Sequence, residues 1–127
     1  MNIVISNSSE KPIYEQIASQ IRKMILVGTL KAQDPLPSMR LLAKELRISV
    51  ITTKRAYEEL EREGYIYTVV GKGSFVASAN MELLKEEQLR QAEEYLEKAV
   101  EQARPAGISL EQLMEMLTML YEEKQME

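Results

Sequence analysis

The side chains able to do chemistry lie in three short stretches of this 127-residue chain. The first holds Ser38 and Arg40 in Leu36-Pro-Ser-Met-Arg40, the second is Ser49-Val-Ile-Thr-Thr-Lys-Arg55, and the third is Gly71-Lys72-Gly73. Hydroxyl, guanidinium and ammonium groups of this kind hold phosphates and read base edges. The planar fork of Arg40 can be bidentate to guanine or clamp a phosphate. Ser49 and Thr52 offer hydroxyls to bases or phosphates, and Ile51 can meet a thymine methyl. Lys54 and Arg55 fall a turn later and add attraction for phosphate. Lys72, between two glycines, is a cation with little bulk around it, as needed to approach a minor groove or a backbone. Taken singly, each residue has a plainer role. Ser38 and Ser49 are good helix caps, Arg40 and Lys54 are surface cations, and Gly71-Lys72-Gly73 is a turn. The case for nucleic acid is their order and spacing.

Catalysis is poorly provided for. There is no histidine and no cysteine, and Asp34 is the one aspartate. That removes the commonest general base, the thiol nucleophile, disulfides and thiolate metal sites. No catalytic residues, no metal site and no cofactor are expected, and the chain is not read as an enzyme.

The positioning elements follow from periodicity and stop signals. Residues 12–27 carry Ile13, Ile17, Ile21 and Met24 on one helical face, with Pro12 at the start and Gly28 past the end. Thr29–Pro37 reads as a loop, because Pro35 and Pro37 forbid helix. Ser38 caps a short helix ending near Leu46, with Leu41, Leu42 and Leu46 as its buried side. After the turn at Arg47-Ile48, Ser49 caps a third helix, from about Val50 to Glu63. Thr53, Ala56, Tyr57 and Leu60 face inward, and Gly64 ends the helix. Tyr65–Val69 then reads as a strand, Val70–Gly73 as a turn and Ser74–Ala77 as the returning strand. Two helices joined by a tight turn and followed by a hairpin make a winged helix-turn-helix, whose second helix starts in the major groove. Ser49 to Lys54, including Val50, lie at that start.

A long helix, Met81–Arg104, and a last one ending near Glu123 complete the chain. Pro105-Ala-Gly107 separates them, and Ser109 with Gln112 resembles a capping box. Leu89, Ala92, Leu96, Ala99 and Ala103 form a seam on the first. Leu110, Leu113, Leu117 and Leu120 line the second, with Met114 and Tyr121 beside them. Two helices cannot bury both stripes, so a partner chain is expected.

The fold class expected is therefore mainly α with a small β-hairpin wing. A winged helix-turn-helix over residues 10–79 precedes a two-helix dimerisation region over 80–127, with the boundary near Ser78–Asn80. Charge divides at the same place. The whole chain has a net charge of −4, which argues against nucleic acid. Residues 1–79 hold 11 Lys and Arg against 8 Asp and Glu, a net of +3, and residues 80–127 hold 5 against 12, a net of −7. The reading head is mildly basic and the tail acidic. The opening residues have no basic stretch and no long apolar run, so neither a secretory leader nor a membrane segment is expected, and the location expected is the cytoplasm.

Several motifs in register carry a resemblance. Leu36-Pro-Ser-x-Arg40-x-Leu-Ala43 is followed by Ser49-x-x-Thr52-x-Lys54-x-Ala56-Tyr57-x-x-Leu60-Glu-x-Glu-Gly64 and by Gly71-Lys-Gly-Ser-Phe-Val76. With Pro12-Ile-Tyr-Glu-Gln-Ile17 ahead of them, they resemble the winged-helix domain of the GntR family of bacterial transcription regulators over residues 10–79. The short tail resembles the YtrA-type branch, which lacks the larger effector-binding domain and dimerises through its tail. The resemblance implies a homodimeric repressor on a palindromic double-stranded DNA operator, with a transporter operon as a reasonable target. It implies DNA contact by Arg40, by Ser49, Thr52 and Lys54, and by the wing residues Gly71 and Lys72. Val50 departs from the pattern. It stands where the family commonly has Arg, so a guanine-reading contact is absent there or replaced by an apolar one. A small organic effector at the tail interface, near Tyr95, Met114, Met116, Met119 and Tyr121, is one reading of those residues; core and dimer seam is the other. The rival function is a winged-helix module that binds proteins without reading DNA sequence.

Overall fold

Stop signals in the sequence set the helix ends. The computed structural model describes residues 1–78 and 81–125, so Ala79 and Asn80, at the expected domain boundary, lie outside the described residues. Three helices come first: α1 (Ile13–Leu26), α2 (Met39–Leu46) and α3 (Val50–Arg62). Pro12 is the N-cap of α1, and Gly28 follows its end at φ 87°. Glu15 in the first turn and Lys23 in the last match the helix dipole. The buried face of α1 is Ile17, Ala18, Ile21 and Ile25. It is rotated from the expected one: Ile13 is exposed and Met24 half-buried, because Ile25 rather than Ile13 continues the stripe.

Between α2 and α3, Arg47 takes a left-handed conformation at φ 58°, and Ile48 N–H returns to the Ala43 carbonyl at 3.0 Å. That single left-handed residue makes the turn tight. Leu42 and Ala43 are buried and Leu46 half-buried, but Leu41 is exposed, contrary to expectation. An eight-residue helix packed on α3 buries one narrow stripe, and Leu41 lies outside it. On α3 the inward residues are Thr53, Ala56, Tyr57 and Leu60. The hydroxyl of buried Thr53 is satisfied by donating to the Ser49 carbonyl at 3.3 Å.

The hairpin pairs β1 (Ile66–Val69) with β2 (Gly73–Val76) antiparallel, Ile66 opposite Val76 and Val69 opposite Gly73. Gly73, expected in the turn, belongs to β2. The segment expected to be a plain loop adds a third strand-like edge. Gln33 N–H donates to the Val76 carbonyl at 2.8 Å, Val76 N–H to the Asp34 carbonyl at 2.9 Å, and Leu36 N–H to the Ser74 carbonyl at 2.9 Å, with Pro35 bridged to Phe75. An edge tolerates Pro35, which has no N–H to offer.

The chain divides into two compact units, Met1–Lys85 and Glu86–Glu127. The first is wider than the winged-helix span of 10–79. Ile3 joins its core, and so does Leu84 at the start of α4 (Met81–Ala103). Two glutamines of α1 fix the N-terminal segment by amide pairing. Val4 N–H donates to Gln20 Oε1 at 3.0 Å while Gln20 Nε2 donates to the Val4 carbonyl at 2.7 Å. Gln16 does the same for Ser6, at 2.8 and 3.2 Å. A side-chain amide thus stands in for a neighbouring strand and satisfies backbone groups that hydrophobic pattern does not reveal.

The second unit holds the rest of α4 and α5 (Leu110–Gln125). Gly107 at φ 72° turns the chain between them. Ser109 and Gln112 form the capping box, Gln112 N–H on Ser109 Oγ at 3.2 Å and Ser109 N–H on Gln112 Oε1 at 2.9 Å. Among the described residues of this unit only Ala103 is buried. Along the chain, among the described residues, no helix is long and apolar enough to cross a membrane.

Candidate nucleic-acid interface

The first unit aims its polar residues through two capped helix starts. Ser38 Oγ accepts from Leu41 N–H at 3.1 Å, and Ser49 Oγ accepts from Thr52 N–H at 3.2 Å. Each bond satisfies one of the free N–H groups of a first turn and leaves others facing outward. The two starts are coupled. Tyr57, buried on the inner side of α3, donates its hydroxyl to the Pro37 carbonyl at 2.8 Å. That bond holds the chain entering α2 against α3, so Ser38 and Arg40 sit beside α3 in a fixed frame. Burial raises the Tyr57 phenol pKa above its ordinary value, with Glu45 adding to the effect.

Arg40 is exposed, and among the described residues no carboxylate pairs with it. Lys54 is exposed and lies 3.8 Å from Glu58, both side chains about 60% accessible, a weak surface pair that a phosphate can displace. Arg55 is held differently. Its guanidinium lies over the Tyr14 ring, 3.8 Å from the centroid, so it clasps α3 to α1. Thr52 is half-buried, and its Oγ1 is 2.9 Å from Ser49 Oγ. Val50 and Ile51, the first two residues of α3, project into solvent.

The wing follows from α3. Thr68 N–H donates to Glu61 Oε1 at 3.1 Å, and Tyr67 stacks on Phe75 with centroids 5.6 Å apart. At the tip, Lys72 N–H closes on the Val69 carbonyl at 2.9 Å, and Gly71 and Gly73 both take positive φ, 80° and 109°. Gly71, Lys72 and Gly73 are exposed, and no carboxylate among the described residues pairs with Lys72. Val70 beside them is 98% accessible.

Two residues that matter to this geometry were not singled out for it. Tyr57 reads in sequence as core, and only its hydroxyl partner shows that it also sets α2. Tyr14 reads as one more residue of an amphipathic helix, with no signal that it meets Arg55 forty residues on.

The family model for bacterial regulatory proteins of the gntR family matches residues 13–76, half the chain. The chain belongs to the GntR family. It is similar to the HTH-type transcriptional repressor YtrA of Bacillus subtilis (strain 168), 39% identical over 113 residues, which cover 89% of this chain and 87% of YtrA. Among solved structures it resembles a GntR family transcriptional regulator from Listeria monocytogenes, 32% identical with a TM-score of 0.71, covering 90% of this chain and 97% of that one. It also resembles the DNA-binding domain of AraR, crystallised with operator ORX1, 25% identical with a TM-score of 0.54, covering 61% of this chain and 96% of that domain. The GntR assignment and the mainly helical winged fold therefore stand as the motifs implied, and so does the YtrA-type likeness. GntR proteins are regulators, so the chain falls in a non-enzymatic class.

In the second unit, Leu89, Ala92, Leu96, Ala99, Leu117 and Leu120 are exposed, and Leu113 is half-buried. Leu96, Val100, Leu113, Met114 and Leu117 line an apolar concavity of about 420 Å³.

Proposed function

We propose that this GntR-family regulator is a repressor that binds a palindromic operator as a homodimer. The observation that carries the reading is Arg40, exposed and with no carboxylate partner among the described residues, on the helix whose entry the Tyr57–Pro37 bond ties to α3. In this reading Arg40 takes a guanine or a phosphate. The free N–H groups at the starts of α2 and α3, capped by Ser38 and Ser49, face phosphates. Ser49, Val50, Ile51, Thr52 and Lys54 lie in the major groove, and Arg55, while resting on Tyr14, offers its N–H groups to a phosphate. Gly71, Lys72 and Gly73 approach the backbone or minor groove. The repressor named among the relatives and the operator-bound AraR domain support this reading.

Dimerisation is assigned to α4 and α5. Leucines exposed along both helices, with a wholly apolar concavity between them, leave a face that a second copy can cover. The same concavity is where a small apolar effector would act. The YtrA-type likeness makes a transporter operon the first target to test, and the reading places the protein in the cytoplasm.

The test is selection of bound duplexes from a random library, followed by binding of Arg40→Ala. A palindromic site is expected, and Arg40→Ala is expected to lose specific binding at moderate salt. Operator affinity unchanged in that variant overturns the assignment.

A further inference from the structure

We propose that the centre of the base-reading surface is apolar, and that Val50 and Ile51 recognise thymine methyl groups in the major groove. The inference rests on the DNA-binding reading above and adds the chemistry of recognition to it. Val50 and Ile51 open α3, where a recognition helix meets base edges. Ile51 is 80% accessible and Val50 43%. The fold does not need either one, since the buried side of α3 is built from Thr53, Ala56, Tyr57 and Leu60.

The polar groups beside them are already engaged. Ser49 Oγ accepts from Thr52 N–H and lies within hydrogen-bond distance of Thr52 Oγ1. The hydroxyls at the helix start thus satisfy each other and the backbone, and the side chains left projecting are hydrocarbon. On its major-groove edge a base pair offers one apolar group, the 5-methyl of thymine. A cytosine amino group or a guanine carbonyl set against Val50 or Ile51 would lose water without gaining a partner. β-Branched side chains have essentially one rotamer in a helix, so these two present their methyls with little freedom to lose. Arg40 and Lys54 supply charge around this patch, so affinity comes from the cations and discrimination from the methyls.

The test starts from the operator selected with the full chain. Each thymine of a half-site is replaced by deoxyuridine, which removes the methyl and leaves every hydrogen-bonding group in place. One or two adjacent thymines per half-site are expected to cost about fourfold in affinity for each methyl removed. In Ile51→Ser and Val50→Ser, both changed at exposed positions, the matching uracil penalty is expected to vanish. Specific binding that ignores uracil everywhere, or penalties that persist in both variants, overturns this proposal and leaves the DNA-binding reading intact. Retention of no duplex at low salt overturns both.

Discussion

Tyr57 does two jobs with one side chain. Its ring is buried in the core of the first unit, and its hydroxyl bonds the Pro37 carbonyl. Tyr57→Phe keeps the ring and leaves the carbonyl unpaired, so a stability loss of about 1 kcal/mol is expected in urea unfolding. The phenol also links stability to pH. Its folded-state pKa is raised, chiefly by burial. The unfolded chain therefore releases this proton first, and the stability tied to it is present below pH ~10 and falls as pH rises above that. Tyr57→Phe should flatten that alkaline fall relative to the parent, and equal slopes would count against the assignment. At Tyr14 the issue is the ring under Arg55. Tyr14→Leu preserves the apolar contact but removes the cation–π partner, with an expected loss of about 0.5–1 kcal/mol. Arg55→Ala in the same background should then add little, as a double-mutant cycle would show.

Between elements, the turn from α2 to α3 depends on Arg47, a non-glycine residue at φ 58°. The left-handed region costs an ordinary residue about 1 kcal/mol or more, and glycine nearly nothing. Arg47→Gly is therefore expected to raise stability by about 0.5 kcal/mol, after allowing for the extra freedom glycine gives the unfolded chain, and the midpoint of thermal unfolding checks it. The element boundaries were mostly legible in sequence because caps and stops are local. Ser38, Ser49, Gly64 and the Ser109–Gln112 box all act within one turn of themselves. Burial was less legible. Leu41 fits the α2 stripe in sequence, yet only the placement of α3 decides which leucines it covers. Gln33–Leu36 could not be read as an edge, since its partner, β2, comes forty residues later.

For the molecule as a whole, the described residues of the second unit carry apolar surface and bury only Ala103. Leu117 and Leu120 are each more than half accessible in a single chain. Leu117→Glu adds charge there without disturbing a packed interior, so the isolated chain should keep its helices. If α4 and α5 form the proposed dimer seam, sedimentation is expected to show a dimer for the parent and a monomer for the variant. Its operator affinity should fall steeply, because two linked half-site contacts become one. A dimeric Leu117→Glu would remove α5 from the interface. Net charge belongs to this scale too. The −4 of the chain divides into a reading head at +3 and a tail at −7. A head so mildly basic should bind nonspecific duplex modestly, with affinity that falls as salt rises.

By itself the sequence determined the order of helices and strands, the caps, the absence of a catalytic kit and the motifs of a GntR winged helix. These are short-range or compositional properties, written in periods of two and 3.6 residues and in residue types at fixed offsets. Tertiary structure decided what depends on distant residues meeting: Tyr57 on Pro37, Arg55 on Tyr14, Gln16 and Gln20 on the N-terminal segment, and Ile3 in the core. It also decided which cations of the reading head are engaged by other side chains. Arg40 and Arg55 look alike in sequence as cations, but among the described residues Arg40 has no carboxylate partner while Arg55 lies on the Tyr14 ring, because only packing brings α1 against α3.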